Sequence, residues 1–161
     1  MTRRSLQDEL KQSKPFASPA DEALVALMRT AALVRRAIAR RVEPYGISVA
    51  QYNVLRILRG AGPQGLPTLA VRDRLIEEAP GITRVVDKLE EAGHVLRRRA
   101  PGDRRVVHCV ISEQGLRLLT GMDTLVHETA QLIAAGLPEE RDQRALVALL
   151  ADVRAGLDEA R

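Results

Sequence analysis

A chain of 161 residues has the length of one domain, or of one domain with helical arms, and its 45% apolar residues suffice for a hydrophobic core. Its one cysteine, Cys109, excludes an intrachain disulfide framework and favours a reducing cytoplasm. The start of the chain lacks the apolar stretch of a secretory signal, and no apolar run is long enough for a membrane span. Two tyrosines and one phenylalanine are too few for the stacking platforms of single-strand nucleic-acid binders.

Positive charge is concentrated in one short segment. Lys and Arg number 25 against 21 Asp and Glu, which gives a net charge of +4. Residues 94–111 hold five arginines and one aspartate, whereas residues 48–93 have six charges of each sign. Residues 112–161 hold five basic and nine acidic side chains. A dense basic cluster beside neutral flanks indicates a footprint for phosphate groups.

The first third of the chain predicts a polar arm followed by two helices. Residues 1–17 lack sustained periodicity, so we expect a flexible or partly ordered arm. Ser18 as N-cap and Pro19 as first helical residue start a long amphipathic helix, which ends near Pro44. A capping box at residues 48–51 starts the next helix, which stops in the breaker-rich sequence GAGPQG.

Two shorter helices come next. Residues 68–78 form the first, and we expect Pro80 to break it. The second runs from about residue 81 to 91, and Gly93 ends it in the C′ position. One face of this second helix is apolar, and its opposite face shows Thr83, Arg84, Asp87 and Lys88.

Beyond residue 93 the pattern becomes that of a β-hairpin. Residues 94–99 and 105–111 are partly alternating, and the second is rich in β-branched residues; a Pro-Gly turn signal separates them. Alternation places Arg97 and Arg99 on one face of their strand, while Arg98 takes the other. The sequence therefore predicts a hairpin with a basic tip.

The last third predicts two long helices, one capped by Ser112 and one started by Pro138. Apolar faces extend over residues 19–43, 112–136 and 138–158. One small lobe in a monomer cannot cover three such faces, so the pattern favours a homodimer. An acidic C-terminal third fits a surface turned away from nucleic acid.

The order of elements predicts a mainly α fold with a small β-hairpin wing, a winged helix-turn-helix with long N- and C-terminal dimerisation helices. The major groove of duplex DNA admits one α-helix, and arginines on a thin hairpin suit an adjacent backbone or minor groove. We expect residues 48–111 to form the DNA-binding lobe and residues 18–47 and 112–161 to form the helical dimerisation region.

Three segments together resemble the core signature of the MarR family of transcriptional regulators. They are GITRVVDKLEEAG at residues 81–93, GDRR at residues 102–105 and ISEQG at residues 111–115. The resemblance extends over about residues 19–160. It implies a cytoplasmic homodimer that binds pseudo-palindromic DNA and that is often released by a small molecule or by oxidation. Our hypothesis is that the protein is a repressor.

The resemblance also implies roles for single residues. The family's Asp-x-Arg wing motif falls on Asp103 and Arg105, where the arginine inserts at the minor groove and the aspartate orients it. The family's Thr-Arg pair falls on Thr83 and Arg84. With the basic side chains around them, the expected DNA-binding residues are Thr83, Arg84, Lys88, Arg97, Arg99, Asp103, Arg104 and Arg105.

One part of the pattern departs from the family. Positions before Thr83 that often hold serine or threonine are Ala79, Pro80 and Gly81 in this chain. Since these residues offer no hydroxyl group, base readout would depend more on Arg84 and Lys88, on backbone N–H groups and on DNA shape.

The cysteine, the two tyrosines and the three histidines have competing interpretations. Cys109 lies among apolar neighbours, which favours a buried small side chain over an exposed redox switch. Tyr45 and Tyr52 flank the junction of the first two long helices; core packing is the plainer interpretation, and contact with a small phenolic or carboxylate ligand is the alternative. His94 and the other histidines match no metal-ligand spacing, so we expect no metal and no cofactor.

Two other classes of function compete with DNA binding. A winged helix that binds protein would fit the balanced charge of residues 48–93, but it would not need the arginines of the hairpin. An enzyme is disfavoured, because the chain has no Walker loop, no His-Glu-x-x-His motif and no nucleophile elbow.

Overall fold

A computed structural model describes residues 4–77, 81–100 and 103–159 of the chain. It confirms a mainly helical fold with a small antiparallel sheet. The helices are α1 (Leu6–Leu10), α2 (Pro19–Val42), α3 (Val49–Ala61), α4 (Thr68–Arg72), α5 (Ile82–Glu91), α6 (Glu113–Thr120), α7 (Asp123–Gly136) and α8 (Glu140–Glu159). The strands are β1 (Leu66–Pro67), β2 (Val95–Ala100) and β3 (Asp103–Ile111).

The helix starts predicted from capping residues are confirmed. The Ser18 hydroxyl accepts a hydrogen bond from the backbone N–H of Asp21 at 3.1 Å, and α2 follows. Ser48 and Gln51 form a complete capping box at the start of α3. Each side chain satisfies a backbone N–H that has no partner within the helix, which fixes where the helix begins.

The sheet contains one strand more than the hairpin predicted from sequence. Its order is β1-β3-β2, and the two residues of β1 pair with Cys109 and His108. Gly65 precedes β1 with φ of +63°, and a Cβ there would lie 2.2 Å from the carbonyl oxygen of Cys109. Only glycine combines that backbone conformation with so close an approach, so Gly65 lets β1 join the sheet.

Three predicted elements have different bounds in the structure. Helix α4 ends at Arg72 instead of extending to residue 78, because the N–H groups of Arg74 and Leu75 bond to carbonyls three residues back in tight turns. The single helix expected from Ser112 is divided into α6 and α7 around Gly121. The arm of residues 1–17 contains the short helix α1, which the sequence did not predict.

Tyr45 accounts for the break between α6 and α7. Its hydroxyl donates a hydrogen bond to the carbonyl oxygen of Gly121 at 2.8 Å. The N–H of Leu125, four residues further on, bonds to Met122 instead. This break in the helical ladder accompanies full burial of the Met122 side chain in the core.

One core joins α3, α5, the sheet and the ends of α2 and α6. Helix α3 contributes four buried residues, and α5 contributes Ile82, Val86 and Leu89. Val95, Cys109 and Ile111 of the sheet pack against the same cluster. Because the apolar face of α5 is anchored in this core, the direction of its opposite face is fixed.

The C-terminal helix α8 has no buried residue among those that the structure describes. Every one of its residues is at least partly exposed, including large apolar side chains. Among residues 4–77, 81–100 and 103–159, no helix has both the length and the apolar character needed to cross a membrane.

Candidate nucleic-acid interface

Helix α5 presents a polar face away from the core. Thr83, Arg84 and Lys88 are exposed, whereas the apolar residues of the opposite face are buried. Gly81 forms the N-cap in the left-handed region with φ of +88°, and no side chain among the described residues caps the first turn. The first N–H groups of a helix lack partners within the helix and can bind an external acceptor such as a phosphate oxygen.

The wing formed by β2 and β3 lies next to α5. Arg98 and Arg99 of β2 are exposed. The backbone of Asp103, Arg104 and Arg105 belongs to β3, but their side chains are outside the part of the structure that is described. Their expected contacts with DNA therefore remain predictions.

Residues of the predicted hairpin turn and of the segment before Thr83 also lie outside the described segments. Pro101 and Gly102 of the predicted turn do so, although Ala100 pairs with Asp103 on either side of them. Ala79 and Pro80, which depart from the family pattern before Thr83, are also outside the described residues.

Arg97 occupies a different environment from its neighbours in β2. Its guanidinium donates hydrogen bonds to Oδ1 of Asp87 and to Oε2 of Glu90, both on α5. Its side chain is 29% exposed, so these contacts are partly shielded from water. The hydrogen bond to Asp87 is the main cause that raises the pKa of Arg97 above its usual value, with further contributions from Glu90 and with burial opposing them.

The sequence placed Arg97 on the face of its strand that also carries Arg99, and the structure adds which face this is. Arg97 pairs with Cys109, and Val95 on the same side of β2 is fully buried. Residues directly opposite in an antiparallel pair share a face, so Arg97 lies on the side that packs on α5. The sequence analysis did not identify Glu90 as a partner of Arg97. The available signal was that Glu90 lies three residues after Asp87, which places both carboxylates on one side of α5.

The two tyrosines have structural contacts. Tyr52 is buried in the core, with the guanidinium of Arg56 lying 5.8 Å from its ring centre. Tyr45 is 41% exposed and bonds to Gly121 as described. Two surface pockets, one beside the N-terminal arm and one between α3 and Arg74, are lined by other residues. A ligand role for the tyrosines thus remains a prediction.

Cys109 is buried, as the sequence predicted. Its Sγ lies 3.4 Å from the hydroxyl of Thr68 at the start of α4, and β1 covers the strand on this side. The neighbouring His108 holds its Nδ1 2.8 Å from the carbonyl oxygen of Gln64. In the described part of the chain, no group of three histidine, cysteine or acidic side chains is arranged to hold a metal ion.

Comparisons with known proteins match this arrangement. The MarR family model matches residues 47–107. A MarR transcription factor from Planctomyces limnophilus, whose crystal structure is known, is 34% identical, with 85% of this chain and 98% of that chain covered and a TM-score of 0.63. CouR from Rhodococcus jostii RHA1, solved with p-coumaroyl-CoA bound, is 25% identical, with 88% of this chain and 95% of CouR covered and a TM-score of 0.71.

A curated relative gives a shorter match. The transcriptional regulator MhqR from Bacillus subtilis is 34% identical over 80 residues, which are 50% of this chain and 54% of MhqR. The chain thus matches about half the length of that relative. By contrast, the match to the Planctomyces limnophilus protein covers nearly all of that chain. These proteins are transcriptional regulators and not enzymes. The chain belongs to the MarR family of winged helix-turn-helix transcriptional regulators.

Proposed function

We propose that the protein binds double-stranded DNA sequence-specifically through a lobe formed by residues 48–111. Helix α5 enters a major groove, and the wing lies on an adjacent backbone or minor groove. The observation that carries the proposal is the orientation of α5, whose buried apolar face directs Thr83, Arg84 and Lys88 outward. A single helix of this kind fits the width of the major groove.

The charge of the wing supports the same proposal. Arg98 and Arg99 are exposed, and residues 94–111 hold five arginines in all. Arginines that contact phosphates release counterions from DNA, so affinity falls steeply as salt rises. Residues 48–93 carry equal numbers of positive and negative charges, so the net charge of the helix-turn-helix adds little to the affinity for DNA. A few individual side chains would then supply specificity.

We infer that the protein acts as a homodimer. Helix α8 exposes Leu149, Val153 and Leu157, and α2 exposes Leu24 and Met28, with exposed fractions between 45% and 64%. Leu149, Val153 and Leu157 are spaced four residues apart and share one face of α8, and an exposed apolar helix face is typical of a protein interface. The dimerisation region then comprises residues 18–47 and 112–161. A second copy of the chain would cover these apolar faces, and the resulting two-fold dimer would match the two-fold symmetry of a palindromic operator.

We infer further that the protein is a repressor in the cytoplasm and that a small ligand relieves repression. The relative CouR was solved with p-coumaroyl-CoA bound. A phenolic or carboxylate ligand near Tyr45 and Tyr52 is the corresponding proposal for this chain. Ligand binding that favours one spacing of the two DNA-binding lobes would shift the population away from the DNA-bound form.

Replacing Arg105 with alanine tests the wing assignment. Loss of an arginine that contacts a groove should lower affinity for a bound duplex by about 1–3 kcal/mol and reduce the salt dependence, because one phosphate-directed charge is removed. Affinity is measured by fluorescence anisotropy over a range of salt concentrations. Arg117→Ala is the control, since Arg117 lies on α6 with a 72% exposed side chain, paired with Glu113.

The control variant should bind as the unmodified protein does. If Arg105→Ala binds with unchanged affinity at every salt concentration, the wing does not contact DNA through this residue. If the unmodified protein shows no salt-dependent binding to duplexes, the DNA-binding proposal itself fails and a protein-binding winged helix becomes the better account.

A further inference from the structure

The contact between Arg97 and α5 joins the two elements that are proposed to touch DNA. Asp87 and Glu90 are three residues apart, so their carboxylates lie on one side of α5. The guanidinium reaches both with separate N–H groups, Nη2 to Asp87 and Nη1 to Glu90. A planar guanidinium offers donors in a fixed fork, and two simultaneous bonds fix its orientation.

Arg97 is the outermost residue of β2 whose hydrogen bonds to α5 are described. Nearer the helix, Val95 is fully buried and the N–H of His94 bonds to the carbonyl of Leu89. Beyond Arg97, Arg98 and Arg99 are exposed, and β2 is paired there with β3. The contact at Arg97 therefore ties α5 to the part of the wing that extends beyond the core.

The charges of the contact matter for a DNA-binding surface. Asp87 and Glu90 have side chains 44% and 38% exposed on the helix that carries Arg84 and Lys88. Unpaired carboxylates at this position would repel phosphates. Paired with Arg97, the group of three carries a net charge of −1 in place of −2, and the guanidinium is directed to two carboxylates of α5.

We propose that Arg97 is a positioning residue, which holds the wing at a fixed angle to α5 and offsets the charge of Asp87 and Glu90, and that it does not itself contact phosphate. The inference rests on the proposed DNA binding, because the wing and α5 must meet one duplex together. It replaces the direct contact that the sequence pattern predicts for Arg97 with an indirect one.

Two substitutions at one position separate positioning from phosphate contact. Arg97→Gln removes the charge, whereas Arg97→Lys keeps the charge but replaces the fork with a single ammonium group, which does not reproduce both bonds. We expect both variants to bind a duplex selected by the unmodified protein about tenfold more weakly. For a simple phosphate contact, Arg97→Lys would retain most of the affinity, and Arg97→Gln would lower the slope of affinity against salt by about one charge.

Hydrogen exchange of the DNA-free protein gives a readout that does not depend on DNA binding. In both Arg97 variants, the amides of β2 after residue 97 and of the β3 residues paired with them should exchange about tenfold faster. The amides of α3 in the core should exchange at an unchanged rate. The double variant Asp87→Asn with Glu90→Gln should produce the same loss of protection, and adding Arg97→Gln to it should have no further effect. Arg98→Gln, at the exposed neighbouring position, is the matched control and should leave exchange unchanged.

The outcomes distinguish this inference from the proposed function. Unchanged wing exchange in Arg97→Gln, or full affinity in Arg97→Lys, would overturn the positioning role while leaving DNA binding intact. If the unmodified protein selects no duplex, the proposed function fails, and the exchange data alone then decide whether Arg97 holds the wing. Faster exchange in α3 as well as in the wing would show general destabilisation and would also count against positioning.

Discussion

Replacing Leu89 with alanine is expected to lower the free energy of unfolding by about 2–5 kcal/mol. Leu89 is fully buried in the core at the C-terminal end of α5, and its carbonyl accepts the N–H of His94 at 2.8 Å, where the chain turns toward the wing. Truncation removes apolar contacts and leaves a cavity that close-packed neighbours fill only in part. The free energy of unfolding of a native protein is only about 5–15 kcal/mol, so this loss is a large fraction of the total stability.

Denaturant unfolding followed by circular dichroism measures the change. Leu69→Ala is the matched control, because Leu69 is 61% exposed on α4 and its truncation should change stability by less than about 0.5 kcal/mol. Both variants are compared with the unmodified protein at one protein concentration, since association raises apparent stability. Equal effects of the two substitutions would contradict the packing described for α5.

The same glycine-to-alanine change is expected to have opposite effects at two helical positions. At Gly115 in α6, an added Cβ would lie 2.4 Å from the carbonyl oxygen of His94 and 2.8 Å from Cγ1 of Ile111. That carbonyl is held by the N–H of Ser112, so it does not move freely. We expect Gly115→Ala to destabilise by about 1–3 kcal/mol, because the overlap outweighs the better helix propensity of alanine.

At Gly60 in α3, nothing lies within 4 Å of an added Cβ. Gly60→Ala should therefore stabilise the protein by about 0.5–1 kcal/mol, through lower entropy of the unfolded chain and higher helix propensity. Thermal and denaturant unfolding of the two variants measure the loss of stability in Gly115→Ala and the gain in Gly60→Ala. Destabilisation by Gly60→Ala, or a neutral Gly115→Ala, would contradict the packing of these helices. The close approach at Gly115 also explains why a glycine stands in the ISEQG segment.

Local signals made much of the fold predictable. Ser18, Ser48 and Gln51 satisfy specific backbone groups, so their side chains determine where helices begin. Gly93 with φ of +75° ends α5 in the expected way. Strand β1 was not predictable, because two residues carry no periodicity and their pairing depends on the distant β3.

A long-range contact explains one of the remaining differences. The division between α6 and α7 depends on a hydrogen bond from Tyr45, 76 residues earlier, to Gly121. Helix propensities within residues 112–136 do not contain that information. The early end of α4 follows local turns at Arg74 and Leu75, although apolar residues continue beyond it at helical spacing.

The functional site was predictable to the extent that it follows helix periodicity. The apolar stripe of α5 determines which residues face outward, so Thr83, Arg84 and Lys88 were identified correctly as exposed. Strand alternation indicated which arginines share a face, but not which face meets α5. The contacts of Arg97 with Asp87 and Glu90 depend on that choice, and only the three-dimensional structure supplies it.

Selection of bound duplexes from a random DNA library tests the central claim most directly. A dimer with one α5 in each major groove should recover a single inverted-repeat consensus, whose half-sites are about 10 bp apart or a multiple of this from centre to centre. Recovery of no consensus, or of one half-site alone at all protein concentrations, would contradict sequence-specific binding by a two-fold regulator.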